Sequence, residues 1–459
     1  CGVEIPTLCY DPHLSVHGGC SVCLVDVKGA KSLVRACAST ISPGIVISTD
    51  TERVRKARKL ALELLFSDHV GDCRPPCTLT CPAHGDVQGY VNLAAQGKFE
   101  DSLDALHKNI TLPASIGRVC PAPCEEKCRR NFVDEQPVSI REIKRFVGDW
   151  CLAHDRLSNI PEIAENHRKV AIVGGGPAGV SAAYFLRKMG YGVTLYDKET
   201  DLGGMMRYGI PDYRLPREIL KREIQWITDH GVSVKNGMAL GKDVSLEQLR
   251  DENDAVLLAM GCWKSSPMRT PGEDLSGVVG GIDFLYKVNN DLPAGIGSRV
   301  AVIGGGNTAM DACRCAKRLG ADSVTVVYRR SREEMPAQDI EIEEAMEEGV
   351  EFLFLMAPKT VVGNGRVEAL ECEKMVLGEP DASGRRKPLP TGEVVRLEVD
   401  TVIAAIGQQI RFDGIPETIH NGKQMLVDDN YATPLPGVFV CGDQQTGPDI
   451  AVRAIGNGH

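Results

Sequence analysis

Ten of the seventeen cysteines fall into three groups whose short, regular intervals are typical of iron-sulfur ligands. The first group reads C-x10-C-x2-C-x13-C, and the second and third both read C-x3-C-x3-C. Thiolates at such intervals can bind iron, so the pattern predicts that electrons move through this chain. The groups are Cys9, Cys20, Cys23 and Cys37; Cys73, Cys77 and Cys81; and Cys120, Cys124 and Cys128.

The first group predicts a 2Fe-2S cluster held by four thiolates on loops. A zinc ribbon requires two pairs of cysteines that are close in sequence, and in this group only Cys20 and Cys23 form such a pair. Packed free cysteines are the other alternative, although loop cysteines beside glycine seldom form a core. Segments 5–10, 19–23 and 35–37 resemble the 2Fe-2S domain of the large iron-sulfur subunit of NADH dehydrogenase and related hydrogenases, and the first gap is longer than in plant-type ferredoxins.

The second and third groups, at 73–82 and 120–128, resemble the paired 4Fe-4S segments of the glutamate synthase small subunit and dihydropyrimidine dehydrogenase. The two runs interleave in that family, so the resemblance implies two cubane clusters. Two cubanes need eight ligands, and these runs supply six cysteines. The implied sets are Cys73, Cys77 and Cys128 for the first cubane and Cys81, Cys120 and Cys124 for the second.

Two cubane ligands stay open at this stage. His69 lies four residues before Cys73 in a segment that resembles the histidine-ligated cubane segment of NADH dehydrogenase, which makes it a candidate ligand of the first cubane. A surface or core role is the alternative for His69. The glutamate synthase family supplies the other ligand from a Gln or Glu on the next helix, where this chain has Lys144, which cannot ligate while protonated. Glu142 and Cys151 are the nearby alternatives.

A hydrophobic strand at 170–173 runs into the G-x-G-x-x-G fingerprint of a dinucleotide-binding βαβ unit. Its glycines permit a tight turn, a close approach of pyrophosphate to the helix start, and close packing of helix on strand. The next strand ends in Asp197, where a carboxylate can bind ribose hydroxyls. Together with a late strand ending in Gly442-Asp443, this pattern resembles the FAD domain of two-dinucleotide flavoprotein reductases. The predicted FAD-binding residues are Gly174, Gly176, Pro177, Ala178, Gly179, Asp197, Gly203, Gly204, Arg207, Gly442, Asp443 and Ala451.

A second fingerprint starts at Gly304 and duplicates the first, with Ala309 at the third glycine position. The strand that follows ends in arginines instead of a carboxylate. Arginines bind a 2'-phosphate through forked, charge-assisted hydrogen bonds, so NADPH is favoured over NADH; a solvated basic turn is the alternative. The predicted NADPH-binding residues are Gly304, Gly306, Asn307, Thr308, Ala309, Arg329 and Arg330.

The remaining cysteines do not form a redox pair beside either fingerprint. Cys313 and Cys315 point to different faces of one predicted helix, and Cys262, Cys372 and Cys441 are isolated. A thioredoxin reductase or disulfide reductase needs a redox-active C-x-x-C motif, and there is none beside either nucleotide site, which argues against such a function. We predict that these five cysteines are packing residues.

Composition excludes several classes of partner. The net charge of -10, without a basic block, gives no electrostatic footprint for nucleic acid or an acidic membrane. The longest apolar runs, such as 255–260 and 401–406, are too short to span a bilayer. No signal peptide is visible, and metal-type cysteine spacing favours a reducing compartment, so we expect a cytoplasmic protein. Both ends look clipped, so we expect residues to be missing on each side.

The fold class predicted is α/β, with two nested Rossmann-like domains preceded by a helical iron-sulfur domain and a small β-rich 2Fe-2S domain. Segments 255–261 and 401–407 look like the two crossover strands by which the chain leaves and re-enters the FAD domain. The predicted domains are 1–50 (2Fe-2S), 51–165 (two 4Fe-4S clusters), 166–262 (FAD, first part), 263–399 (inserted NADPH domain) and 400–459 (FAD, second part).

The resemblances imply an NADPH-linked flavoprotein subunit that moves electrons through FAD, two 4Fe-4S clusters and one 2Fe-2S cluster. No acid-base residue is predicted for hydride transfer. The implied partners are other subunits of a redox complex that carry flavin or clusters, or ferredoxin, most like an electron-bifurcating or transhydrogenase complex. A reductase subunit of a glutamate synthase, hydrogenase, formate dehydrogenase or sulfite-reducing system is the alternative, and a structural relay subunit is another.

Overall fold

The computed structural model describes residues 2–10, 15–69, 74–158, 164–380 and 384–459. Two compact units divide the chain, Cys1–Pro75 and Pro76–His459. In the described ranges, no helix combines the length and the apolar character that a membrane crossing requires.

The first unit is a small three-stranded antiparallel sheet, which fits the β-rich character predicted for 1–50, followed by one helix that the prediction placed in the next domain. Thr51 caps the helix, because its hydroxyl accepts a hydrogen bond from the Val54 N–H at 3.2 Å. The same hydroxyl lies 3.4 Å from Asp26 Oδ2 and so ties the helix start to the sheet. The elements are β1 (Leu24–Val27), β2 (Val34–Arg35), β3 (Ile47–Ser48) and α1 (Glu52–Ser67), in the sheet order β2-β1-β3, with a 3-10 turn at Ala36–Ala38.

The second unit opens with a helical region that carries Cys77 and Cys81 of the second cysteine group and the whole third group. Its helices pack at glycines: a Cβ on Gly148 would lie 2.6 Å from the Ala114 nitrogen, and one on Gly117 would lie 2.6 Å from the Arg145 Cα. Larger side chains would push these helices apart. The helices are α2 (Pro76–Thr80), α3 (Val87–Ala95), α4 (Phe99–His107), α5 (Pro113–Val119), α6 (Pro123–Glu126) and α7 (Ile140–Ala153), with a 3-10 helix at Arg129–Phe132.

A five-stranded parallel sheet follows the helical region and receives its last strand from near the end of the chain. The sheet order is β18-β7-β4-β5-β6, a doubly wound arrangement with helices on both faces. The strands are β4 (Lys169–Val173), β5 (Gly192–Tyr196), β6 (Val232–Lys235), β7 (Ala255–Leu258) and β18 (Val438–Val440). The helices are α8 (Pro177–Lys188), α9 (Met205–Tyr208), α10 (Arg217–Thr228), α11 (Leu246–Glu252), α15 (Asp443–Thr446) and α16 (Ala451–Asn457), with a 3-10 turn at Glu417–Ile419.

The second nucleotide-binding region is a second five-stranded parallel sheet with the order β12-β11-β10-β16-β9. Its strands are β9 (Val278–Gly280), β10 (Arg299–Ile303), β11 (Ser323–Tyr328), β12 (Glu351–Phe354) and β16 (Thr401–Ala404). Its helices are α12 (Gly281–Asn289), α13 (Asn307–Arg318) and α14 (Asp339–Glu347), with a 3-10 turn at Arg332–Glu334.

The strand at 401–404 belongs to a different sheet from the one predicted. The prediction that the chain re-enters the FAD domain at residue 400 is wrong for this strand, because Thr401–Ala404 pairs in parallel with Val300–Ile303 of β10. All four of its residues are buried, as expected for a central strand with both faces covered. The return to the first sheet therefore comes after residue 404.

A small antiparallel sheet extends the second region, and a two-stranded ribbon lies where the chain passes between the two parallel sheets. The small sheet has the order β13-β14-β15. Its strands are β13 (Met356–Gly363), β14 (Val367–Pro380) and β15 (Arg386–Glu398), and the ribbon pairs β8 (Lys264–Ser265) with β17 (Gln408–Gln409).

The helical region and the first parallel sheet share one hydrophobic core. Buried cysteines of the helical region and buried residues of β4 and α8 belong to the same apolar cluster. A Cβ on Gly456 of α16 would lie 2.4 Å from the Pro82 carbonyl oxygen, directly after Cys81. Cys81, Cys120 and Cys124 are therefore packed in the same core as the first parallel sheet.

Candidate functional site

One cavity of about 810 Å³ is lined by both glycine fingerprints. Its walls come from loops that follow the strands of the two parallel sheets, which is where open α/β sheets bind ligands. The lining includes Gly174, Asp197 and Asp443 from the first region and Gly304 and Arg330 from the second. A single cavity is thus shared by the two predicted dinucleotide sites.

The first fingerprint has no room for side chains at its key glycines. Gly174 has φ +110°, and a Cβ there would lie 2.3 Å from the Ala259 carbonyl oxygen. A Cβ on Gly179 would lie 1.9 Å from the Gly174 carbonyl oxygen. Gly204 faces the same turn, because its Cβ would lie 2.7 Å from the Gly176 Cα. The bare backbone at the start of α8 fits a dinucleotide pyrophosphate.

Asp197 fixes the conformation of the glycine loop beside the cavity. Its Oδ2 accepts the Gly175 N–H at 2.6 Å and its Oδ1 accepts the Glu199 N–H at 2.8 Å. Burial raises the pKa of this carboxyl, and the two N–H donors oppose that rise. Asp197 therefore fixes the glycine turn while it lines the cavity.

The late Asp443 lies at the start of α15 and faces the same cavity. Gly442 before it has φ +65°, a backbone conformation that favours glycine. Burial raises the pKa of Asp443 to about 7. Cavity lining continues at 448–451, which includes the predicted Ala451.

The structure does not bring every predicted FAD residue to the cavity. Arg207 donates from Nη1 to the Asn289 carbonyl at 2.8 Å and lies 3.6 Å from Asp201 Oδ2. Of the described residues, Met205, Met206 and Ile210 line this part of the cavity, and Arg207 does not. Gly203 acts indirectly, since its N–H donates to the Gly175 carbonyl at 2.8 Å.

A smaller cavity of about 110 Å³ shares Gly174 and Asp197 with the main cavity. Its walls include Tyr196 and Trp263, and the Lys198 ammonium lies 3.7 Å from the Trp263 ring centroid. The flat aromatic wall suits a planar base next to the ribose position. Sequence reasoning missed it, because Trp263 is distant in sequence from both fingerprints.

The second fingerprint repeats the geometry of the first. Gly304 has φ +142°, and a Cβ there would lie 2.3 Å from the Ala405 carbonyl oxygen. Ala309 is fully buried in α13, which accommodates its methyl group. Asn307 accepts the Gln338 N–H at 3.3 Å and so anchors the next loop. The predicted residues Gly304, Gly306, Asn307, Thr308, Arg329 and Arg330 all line the cavity.

The structure adds two basic residues that sequence reasoning missed. Arg385 precedes β15 and lines the same cavity as Arg329 and Arg330. Arg214, in the loop before α10, forms a buried ion pair with Asp311 of α13, with Nη1 2.8 Å from Oδ1. The adjacent arginines at 385 and 386 were the available sequence signal for Arg385, whereas nothing in the sequence spacing indicates Arg214.

In the first unit, the four cysteines of the predicted 2Fe-2S site interact with one another. Cys23 Sγ lies 3.3 Å from Cys37 Sγ, and Cys9 Sγ accepts the Cys20 N–H at 3.4 Å. Burial raises the pKa of Cys20, but hydrogen bonds from the Val22 N–H and with Cys9 outweigh it, so the pKa is lowered. The pKa of Cys37 is raised by its hydrogen bond with Cys23, by burial, and by the other cysteines. N–H donors to sulfur suit thiolate ligands.

In the second unit, cysteines of the two runs influence one another's pKa. Burial raises the pKa of Cys77, and the charges of Cys128 and Cys81 add to it. Burial also raises the pKa of Cys124 to about 12, where Cys120 and Cys81 add to it. Of the predicted ligands, Cys73 lies outside the described residues, and His69 belongs to the first unit.

Lys144 occupies the family's position for the remaining cubane ligand, and Glu142 and Cys151 are the alternatives. Of these three residues, Lys144 is the one beside the cysteines. It is 4% exposed, and its charge lowers the pKa of Cys124 against the effect of burial. Glu142 is half exposed and lies 3.1 Å from the Arg141 guanidinium and 3.7 Å from that of Arg145. Cys151 donates to the Phe99 carbonyl at 3.7 Å, on the side of α4.

Across the described part of the chain, no three His, Cys, Asp or Glu side chains gather as the ligands of one metal ion would. A cluster of two or four irons lies between its thiolates, so its ligands do not converge on one point. The cysteine neighbourhoods are compatible with such clusters.

One residue connects the cysteine region to the dinucleotide cavity. Val119, the last residue of α5, lines the cavity beside the first fingerprint, and Cys120 follows it directly. Cys120 Sγ accepts the Ala122 N–H at 3.4 Å, which holds the sulfur within the loop. A thiolate of the second predicted cubane thus lies one residue from the wall of the cavity.

Three family profiles cover nearly the whole chain. The profile of the pyridine nucleotide-disulphide oxidoreductases matches residues 168–458. The profile described as dihydropyrimidine dehydrogenase domain II, 4Fe-4S cluster, matches 67–156, and that of the 2Fe-2S iron-sulfur cluster binding domain matches 1–52. These matches agree with the predicted order of clusters and nucleotide-binding regions.

Related proteins agree with these profiles. The NADPH-Fe(3+) oxidoreductase subunit beta of Geobacter sulfurreducens is 43% identical over 417 residues, which are 84% of this chain and 62% of that protein. The glutamate synthase (NADPH) small chain of Halomonas elongata is 35% identical over 412 residues, which are 85% of this chain and 86% of that protein. The predicted resemblance to the glutamate synthase small subunit is confirmed.

A solved structure confirms the fold class. FprA of Mycobacterium tuberculosis in complex with NADPH aligns with a TM-score of 0.56 and 20% identity, covering 63% of this chain and 83% of that chain. The α/β architecture with two dinucleotide-binding sheets is therefore shared with that structure.

Proposed function

The chain belongs to the pyridine nucleotide-disulphide oxidoreductase family, a family of flavin-dependent oxidoreductases, and from this membership we propose its function. It is an NADPH-dependent subunit that carries electrons between NADP(H) and a partner through FAD, two 4Fe-4S clusters and one 2Fe-2S cluster. The profiles support the types of cofactor, and the cysteine groups support this number of clusters.

The observation that carries the proposal is the position of Val119 and Cys120. Val119 lines the cavity of the two fingerprints, and Cys120 belongs to the buried cysteine group with Cys81 and Cys124. Electrons that enter at the cavity need no long path to reach the first iron. The shared core of the helical region and the first sheet keeps this arrangement rigid.

Bound FAD would supply the two-electron to one-electron conversion that links hydride donation by NADPH to single-electron carriers. The residues of the chain itself position the cofactors and exclude water from them. The turn at Gly174 and Gly304 leaves backbone N–H groups for two pyrophosphates. Asp197 and Asp443 would accept hydrogen bonds from a ribose and a ribitol, and Arg329 and Arg330 would bind a 2'-phosphate, since all four residues line the cavity.

The cluster ligands follow from the same proposal. Cys9, Cys20, Cys23 and Cys37 hold the 2Fe-2S cluster, and Cys81, Cys120 and Cys124 hold one cubane with Lys144 beside it. At the other cubane, Cys77 and Cys128 are the ligands from the second unit.

The partner is another subunit of a redox complex that carries flavin or iron-sulfur clusters, or a ferredoxin. The Geobacter relative is itself a subunit beta, and this chain spans about 62% of that protein's length. A complex of the electron-bifurcating or transhydrogenase type in the cytoplasm fits the order of carriers.

A reductase subunit of a glutamate synthase is the second candidate. It is favoured by the Halomonas small chain, 86% of which aligns with this chain. The 2Fe-2S profile at 1–52 favours the first proposal, because the resemblance to the glutamate synthase small subunit does not account for a 2Fe-2S domain.

The experiment is an anaerobic titration of the purified chain with NADPH while the flavin absorption is recorded, with NADH as the comparison. We expect NADPH to bleach the flavin at lower concentration than NADH. A bound flavin that neither nucleotide bleaches would refute the proposal.

A further inference from the structure

The hairpin of β14 and β15 brings a third arginine to the second nucleotide site. β14 ends at Pro380 and β15 begins at Arg386, so Arg385 lies at the end of the connection between them. Arg385 lines the main cavity together with Arg329 and Arg330, which directly follow β11. The two elements are more than 50 positions apart in sequence, since Arg330 and Arg386 are 56 residues apart.

Hydrogen bonds fix the hairpin against the loop after β11. Arg330 Nε donates to the Arg386 carbonyl at 2.8 Å, and Arg386 Nε donates to Glu334 Oε1 at 2.5 Å. Glu334 in turn forms a capping box with Ser331 at the start of the 3-10 turn. The backbone directly after Arg385 is therefore held against the arginine loop.

The backbone of the small sheet makes a further link. The Leu355 N–H donates to the Arg330 carbonyl at 3.1 Å, and the Met375 N–H donates to the Leu355 carbonyl at 2.8 Å. A chain of contacts thus runs from the arginine loop into β14. Because these contacts use main-chain groups, the position of the hairpin does not depend on one flexible side chain.

We propose that Arg385 completes a three-arginine site for the 2'-phosphate of NADPH, so that the hairpin sets the preference for NADPH over NADH. The inference rests on the proposed function, because it takes NADPH as the nucleotide of the second site. A phosphate monoester carries close to two negative charges at pH 7, and several guanidinium groups can bind its oxygens through charge-assisted hydrogen bonds. NADH lacks this group and gains nothing from Arg385.

The neighbours of Arg385 provide an internal comparison. Arg386 is engaged with Glu334, and Lys387 is exposed and absent from the described lining of the cavity. Lys387 therefore carries the same charge only two residues away from Arg385, but it does not line the described cavity. Its removal controls for the general electrostatic effect of the hairpin.

The test compares R385Q with K387Q in the flavin-loaded chain, with calorimetric binding of 2',5'-ADP and 5'-AMP and with the KM values for NADPH and NADH. We expect R385Q to weaken 2',5'-ADP about 10- to 100-fold and to raise the KM for NADPH similarly, because it removes a charged hydrogen-bond donor. Binding of 5'-AMP and the KM for NADH change less than twofold, and K387Q matches the wild type in every measurement.

Two other results overturn the inference. If R385Q binds 2',5'-ADP as tightly as the wild type, the arginine does not touch the phosphate. If it weakens 2',5'-ADP and 5'-AMP equally, Arg385 serves the nucleotide in general and not its 2'-phosphate. Wild-type protein that fails to bind 2',5'-ADP at all would instead refute NADPH as the substrate, so the two failures are distinguishable. Bound flavin in R385Q reports that the variant has folded.

Discussion

Arg214 and Asp311 form a buried ion pair between the two nucleotide-binding regions, with Nη1 of the arginine 2.8 Å from Oδ1 of the aspartate. Arg214 also lies 2.7 Å from Glu341 Oε1, and Arg314 lies 3.1 Å from Glu341 Oε2. Both Arg214 and Asp311 line the main cavity. The network therefore joins the loop before α10 to helices α13 and α14 beside the nucleotides.

Removing the charge of Asp311 should destabilise this junction. D311N leaves Arg214 buried with one partner fewer, which costs about 3 kcal/mol. Burial raises the pKa of Asp311 to about 6, so the comparison belongs at pH 8, where the carboxylate is charged. Thermal unfolding followed by circular dichroism provides the measurement.

The control for D311N is E398Q, because Glu398 is 59% exposed in its pair with Arg396. Exposed pairs contribute at most about 1 kcal/mol. Equal unfolding temperatures for D311N and E398Q would show that the buried pair does not hold the two regions together.

Glu223 predicts a pH dependence of stability. This buried side chain of α10 accepts the Ala114 N–H at 2.7 Å and the Ser115 N–H at 2.9 Å, at the start of α5. Burial raises its pKa to about 7, while the two N–H donors lower it. The folded state thus binds the proton more tightly than the unfolded state. Stability from Glu223 is fully present below its unfolded pKa and is lost as the pH rises through about 7.

E223Q should remove this dependence. Between pH 5 and pH 8 the wild type should lose up to about 3 kcal/mol relative to E223Q, from the shift in the pKa of one buried group. Urea unfolding midpoints of both proteins across this range measure the difference. Parallel pH curves for the two proteins would mean that Glu223 is ionised at no cost in the folded chain.

The two fingerprints should respond differently to a methyl group. A Cβ at position 179 would lie 1.9 Å from the Gly174 carbonyl oxygen, whereas Ala309 already occupies the corresponding position of α13. We expect G179A to weaken FAD binding about tenfold or more, because overpacking displaces the turn. A309G, the reciprocal change, should keep its FAD. The flavin content after gel filtration measures both, and full flavin occupancy in G179A would contradict the proposed pyrophosphate turn.

The second cubane should depend on Cys81 and not on Cys151. C81A should lower the iron content by about four of about ten irons per chain, since one cubane is lost. C151A serves as the matched control, because Cys151 is buried and hydrogen-bonded to Phe99 on the side of α4. Iron and sulfide analysis after anaerobic purification measures both variants. A loss of iron in C151A would instead assign this cysteine to the cluster.

Local patterns predicted much of this fold. The strand-glycine-helix order predicted both βαβ units, because this signal depends on neighbouring residues. The cysteine spacing likewise predicted which residue types could hold iron. Membership of Cys81, Cys120 and Cys124 in one group came from a family resemblance and not from spacing.

Contacts between segments that are distant in sequence were not predicted. The strands at 401–404 and 255–258 are both largely apolar, and each is followed by a glycine three residues after its end, so only the pairing with β10 distinguishes their sheets. Arg385 reaches the cavity through a hairpin, and Arg214 meets Asp311 across 97 residues. Composition and periodicity carry no information about such encounters.

The central claim is that electrons pass from NADPH through the flavin to the iron-sulfur clusters. Rapid mixing of the anaerobic chain with NADPH, followed by freeze-quench electron paramagnetic resonance, tests it most directly. We predict that flavin bleaching comes first, that signals of reduced iron-sulfur clusters follow, and that C81A slows the second step without changing the first. Clusters that stay oxidised while the wild-type flavin is fully reduced, with potentials that permit the transfer, would contradict the account.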